Sequence, residues 1–100
     1  MFLFNLTYRK PLEEIERLLP AHIRFLDEYY AKGAFLCSGR KEPRTGGVIL
    51  CNCESLAEAE AIRDRDPFFY EGAAEYEILQ FRPTKAAEGL SALLEAPGGG

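Results

Sequence analysis

The chain has no apolar run approaching the ~20 residues that a membrane-spanning helix requires. Its opening, Met1 to Tyr8, is apolar but lacks a basic leader and a small-residue cleavage site, so no signal peptide is expected. There is no surplus of positive charge. The formal net charge is −4, the wrong sign for a phosphate backbone, which argues against a nucleic-acid partner. Cysteine is sparse: Cys37, Cys51 and Cys53 make an odd count with no disulfide-framework spacing, and a reducing cytoplasm fits them best. No glycine-rich phosphate loop follows a strand, because Gly46-Gly47 precedes one. Histidine occurs once, at His22.

What is present suits one soluble domain. One hundred residues, 47% apolar and 28% charged, allow a modest core with little to spare. Apolar or aromatic side chains recur at Ile15, Leu18, Leu19, Ile23, Leu26, Tyr29 and Tyr30, near the period of one helix face. His22 falls inside that series, four residues from both Leu18 and Leu26, and should point inward. Pro20 predicts a kink or a fresh helix start, which would place His22 in a first turn. Burial and the positive end of the helix dipole would there favour an uncharged ring able to accept a proton. Two roles fit such a residue: a general base, or a core histidine satisfied by backbone or water.

In chain order, Phe2 to Tyr8 alternates as a strand. Pro11 opens a helix with Glu13 and Glu14 at its positive end, and Gly33 is placed to stop it. Ala34 to Arg40 and Val48 to Cys53 form the next two strands. The loop Pro43-Arg44-Thr45-Gly46-Gly47 is short enough to make them an antiparallel hairpin. Ser55-Leu56-Ala57-Glu58 is a capping box that starts a helix to about Arg63. Asp66-Pro67 starts a turn or short helix ended by Gly72, and Ala74 to Phe81 is the last strand, stopped by Pro83. This β-α-β-β-α-β order is ferredoxin-like α+β, a four-stranded antiparallel sheet with two helices on one face, over residues 1–83. Apolar groups on both sides of the strands leave the other face to be covered, and an identical sheet in a homodimer is the expected partner. Residues 84–100 read as a tail. Leu90, Leu93 and Leu94 suit a short helix that docks on the partner subunit or lies on its own, and Gly98 to Gly100 is expected to be disordered.

Asp66 has two readings as well: an N-cap, or a carboxylate that orients His22, which spacing alone does not establish. Ser38 and Gly39, near the end of a strand, suit either a ligand-facing hydroxyl beside open backbone or an ordinary half-exposed strand. Arg40, Lys41 and Arg44 form a small basic group, read first as a solvated hairpin end and second as an attraction for an anionic substrate. Phe68, Phe69 and Tyr70 suit core or pocket wall. Cys51 and Cys53 on one strand face, with Cys37 expected across from Cys51, have the wrong spacing for a zinc knuckle. They read as small buried hydrophobes, so no metal is expected.

Taken together, His22-x-x-Phe25-Leu26, Gly33-x-Phe35-x-x-Ser38-Gly39, Pro43 to Gly47, Asp66-Pro67-Phe68, Ala74-x-Tyr76-x-Ile78 and Phe81-x-Pro83 resemble the YCII-related family across about residues 2–84. The resemblance implies a dimeric α+β barrel. It implies an active-site pair at His22 and Asp66, with Ser38 and Gly39 lining the pocket, and Phe68 is expected beside them as a substrate contact. It also implies a lyase or isomerase without cofactor, since the wider superfamily includes a dehydrochlorinase and muconolactone isomerases. Some dimeric α+β barrels bind haem. The alternative function for this chain is a non-catalytic ligand-binding or accessory module that uses the same cleft without proton transfer. Many members carry Arg-Pro before the histidine and proline after the Ser-Gly pair, where this chain has Leu19-Pro20 and Arg40.

Overall fold

The computed structural model describes residues 1–95. Strand β1 (Phe2–Tyr8) leads to helix α1 (Leu12–Ala31), followed by β2 (Phe35–Arg40) and β3 (Gly46–Cys51). Helix α2 (Leu56–Arg63), the one-turn helix α3 (Pro67–Tyr70) and β4 (Ala74–Gln80) complete the domain. The sheet order is β2-β3-β1-β4, and every neighbouring pair is antiparallel. Each helical connection therefore carries the chain over one intervening strand, which is the ferredoxin-like α+β arrangement. Three helices cover the sheet, the third being the turn that Asp66-Pro67 begins. No helix among the described residues is long and apolar enough to cross a membrane.

Alternation in β1 sends Phe2, Phe4 and Leu6 into a single core with Ile15, Leu18 and Phe25 of α1. The buried stripe of α1 is Ile15, Leu18, His22, Phe25 and Tyr29, at steps of three and four residues. Ile23 and Tyr30, expected inside, are 46% and 38% exposed, and Phe25 takes the inward place instead. Pro20 does not interrupt the helix, contrary to expectation. It lies on the exposed side, as does Glu16, whose carbonyl loses its helical donor, so water can serve that carbonyl while the packed face holds the turns together. His22 is thus mid-helix, away from the positive end of the dipole, and that part of the argument for its behaviour falls away.

Strand ends also move. Pro11 is the N-cap residue and not the first helical position, β2 begins at Phe35, β3 spans Gly46–Cys51 and leaves Cys53 beyond it, and β4 ends at Gln80. Gly46 tolerates no side chain, because a Cβ would stand 1.8 Å from the Leu6 carbonyl oxygen. The close β1–β3 approach therefore starts at the glycine that sequence reading left in the loop. An irregularity between Phe35 and Cys37 shifts the β2 register, so Phe35 faces Cys51 and Cys37 faces Leu50. The expected Cys37–Cys51 pairing is absent for that reason.

On the uncovered face, Cys37, Leu50, Leu3 and Leu79 form a row across all four strands. Leu79 there is 56% exposed and Val48, one row away, 36% exposed. Beyond the sheet, Ser91–Glu95 forms a 3-10 turn, while the expectation for Gly98 to Gly100 lies outside the described residues.

Candidate active site

The β-α-β-β-α-β path returns α3 to the covered face beside α1, and this brings His22 and Asp66 together. His22 Nδ1 lies 2.8 Å from Asp66 Oδ1, with His22 8% exposed and Asp66 0% exposed. Asp66 is also the N-cap: the Phe68 backbone N–H donates to Oδ1 at 2.9 Å. This aspartate therefore caps α3 and contacts His22 at once. The Phe68 ring stacks on the imidazole with centroids 4.0 Å apart and planes 13° from parallel. One residue thus ties the cap of α3 to the orientation of the histidine on α1.

The other carboxylate oxygen has a partner that sequence reading gave no role. The Tyr76 hydroxyl on β4 donates to Asp66 Oδ2. Burial first, and then the charge of Asp66, hold that hydroxyl well above the ordinary tyrosine range, so it stays a donor. The signal available was Tyr76 alternating with Ala74 and Ile78 on the covered face, where a phenol needs a hydrogen-bond partner. Which partner was not legible.

His22 borders a cavity of about 270 Å³ between α1 and the sheet. Leu19, Ile23 and Leu26 of α1 form one wall, Leu6, Gly47 and Ile49 the floor, and Phe68 the closed end. Gly47 stands between Leu6 and Arg40 in the sheet register, so the floor has no side chain at that point. Of the expected lining residues, Ser38, Gly39 and Phe68 all border the cavity. The Ser38 hydroxyl is 2.7 Å from that of Tyr30, and nothing lies within 4 Å of where a Gly39 Cβ would stand. The basic hairpin group divides: Arg40 and Arg44 line the cavity, whereas Lys41 donates to Thr7 at 3.3 Å. Arg44 donates to Glu16 of α1, and that interaction first, with Tyr8 of β1 beside it, favours its charged form.

The cysteines lie elsewhere. Cys51 and Cys53 are buried, and Cys37 is exposed. The Cys51 thiol hydrogen-bonds Cys53, which together with burial pushes Cys51 up, while accepting that bond draws Cys53 down. Among the described residues, no three histidine, cysteine or acidic side chains converge as metal ligands.

Comparison with known proteins agrees with this architecture. The 5-chloro-2-hydroxyhydroquinone dehydrochlorinase of Burkholderia phenoliruptrix AC1100, solved with 2,5-dihydroxybenzoquinone, superposes with a TM-score of 0.68. The two chains are 18% identical, and the match covers 82% of this chain and 94% of that one. No curated protein matches the sequence. The sequence matches the YCII-related domain over residues 1–82, nearly all of the α+β unit. A ferredoxin-like sheet with this match along its length makes the chain a member of the YCII-related domain family.

Proposed function

We propose that this protein is a cofactor-independent lyase or isomerase that moves a proton on an oxygenated small molecule, with His22 as the acid–base group and Asp66 as its partner. The observation that carries the reading is the 2.8 Å contact between His22 Nδ1 and Asp66 Oδ1 at the inner end of the cavity. With Nδ1 engaged, Nε2 is the ring nitrogen left for a ligand. It removes a proton from a carbon beside a carbonyl or enol, and the electron pair moves into the oxygenated π system. Asp66 fixes the tautomer and offsets the charge the ring acquires. In an isomerisation the proton returns at another carbon. In an elimination the electron pair expels a leaving group such as chloride. Acid–base help of this kind is worth about 10²–10⁴-fold, enough for activated substrates without a cofactor. The dehydrochlorinase likeness supports this class of chemistry and leaves the substrate open.

The test incubates the protein in D₂O with chlorinated hydroquinones and unsaturated lactones, following chloride release and deuterium incorporation by NMR. His22→Asn should lower turnover by about 10²–10⁴-fold while the domain stays folded. Equal rates for the wild type and His22→Asn would end the proposal. A ligand that raises the melting temperature yet emerges unchanged would point to the alternative, a binding or accessory module using the same cleft.

The reading includes a homodimer through the uncovered sheet face, supported by the Cys37–Leu50–Leu3–Leu79 row and the 56% exposure of Leu79. Sedimentation should give twice the 11.2 kDa chain mass, and a monomer at micromolar concentration would remove this part. A cytoplasmic location completes it, supported by three thiols without a disulfide.

A further inference from the structure

The cavity carries a charge opposite in sign to the chain. The formal net charge is −4, yet among the described residues the permanently charged side chains that line the cavity are Arg40 and Arg44, and no carboxylate lines it. Glu16 of α1 accepts from Arg44, which leaves most of the five guanidinium donors unspent. Arg40 is looser. Its one carboxylate neighbour, Glu42, is 4.0 Å away with both side chains mostly exposed, so that pair holds it weakly. Beside Arg40 in the register is Gly47, where a Cβ would stand 2.9 Å from the Gly39 carbonyl oxygen, so the strands approach closely there and no side chain of β3 stands next to Arg40.

Two cations at an apolar concave mouth concentrate anions. A guanidinium fork matches a carboxylate by two parallel hydrogen bonds. At about 270 Å³ the cavity is small for a ligand site and suits a single ring, with Leu26 and Phe68 as apolar walls.

We propose that the ligand is a compact ring-bearing carboxylate whose acid group is held at the rim by Arg40 and Arg44, with the ring directed toward His22. This deepens the proton-transfer reading and rests on it for the position of the reacting carbon.

The experiment is calorimetric titration of the full chain with benzoate and with its neutral isostere benzamide. Benzoate should bind at least about tenfold more tightly than benzamide. Arg40→Gln and Arg44→Gln should each weaken benzoate about tenfold and leave benzamide unchanged. Lys32→Gln, which removes a positive charge outside the cavity lining, should leave benzoate binding as it was. The proposal is overturned if benzoate does not bind, if benzamide binds equally well, or if both arginine variants keep wild-type benzoate affinity. It is equally overturned if Lys32→Gln weakens benzoate as much as they do. Arg40 is exposed enough that its variant folds whatever Arg44→Gln does. This titration reads affinity and the His22→Asn assay reads turnover, so either idea can fail while the other stands.

Discussion

Behind His22, both oxygens of Asp66 are engaged. Oδ1 receives His22 Nδ1 and the Phe68 amide, and Oδ2 receives the Tyr76 hydroxyl, all with the carboxylate 0% exposed. At the rim, the Arg40 side chain is 71% exposed and its nearest carboxylate sits at 4.0 Å. The first region has one arrangement, since any other would strand a buried donor or charge. The second has many, since water replaces each lost contact. Within one small cavity, then, position is set at the inner end and adaptability is kept at the outer one. That is the division that the proposed proton transfer and the proposed charged ligand call for.

The contrast breaks most directly at Asp66. Asp66→Ala strands the Phe68 amide and the Tyr76 hydroxyl in the interior, and urea unfolding should show a loss of about 3–5 kcal/mol. A loss below about 1 kcal/mol would mean that the inner end is as forgiving as the rim. Tyr76→Phe removes one bond and leaves Oδ2 unserved, so the expected cost is smaller, about 1–3 kcal/mol. The same variant has a pH signature. The Tyr76 hydroxyl titrates above its ordinary value of 10.0 when folded, so the unfolded chain releases that proton first. Its contribution is complete below pH 10.0 and is lost as pH rises from there toward the folded value. Denaturation midpoints on either side of pH 10.0 should therefore fall more steeply for the wild type than for Tyr76→Phe. The smallest effect belongs to the rim: Arg40→Gln should move unfolding stability by no more than about 0.5 kcal/mol.

Much of the fold was legible because its signals are local. The capping box at Ser55 placed α2 at Leu56–Arg63, and the Ser55 hydroxyl does accept from the Glu58 amide at 3.1 Å. Glu58 returns a bond to the Glu54 amide, one residue before the position the motif names. Gly33, at a φ of 79°, ends α1 where a left-handed residue was called for. The element order was enough to yield the sheet topology, because few β-α-β-β-α-β arrangements avoid left-handed or crossing connections. Pro20 misled because its local penalty was weighed without the face it lies on. Burial on the opposite side outweighs one lost hydrogen bond when that bond's acceptor faces water.

What this sequence determined by itself was the set of elements and two residues, His22 and Asp66, with chemistry to offer. The tertiary structure alone decided that a histidine and an aspartate 44 positions apart share a hydrogen bond, and that Tyr76 completes the aspartate. It alone turned Arg40 and Arg44 from a hairpin end into a cavity rim. Periodicity and capping act over a turn or two of chain. Contacts across a crossover depend on where the sheet register and the α1–α3 packing place each backbone, and no short stretch of sequence encodes that distance.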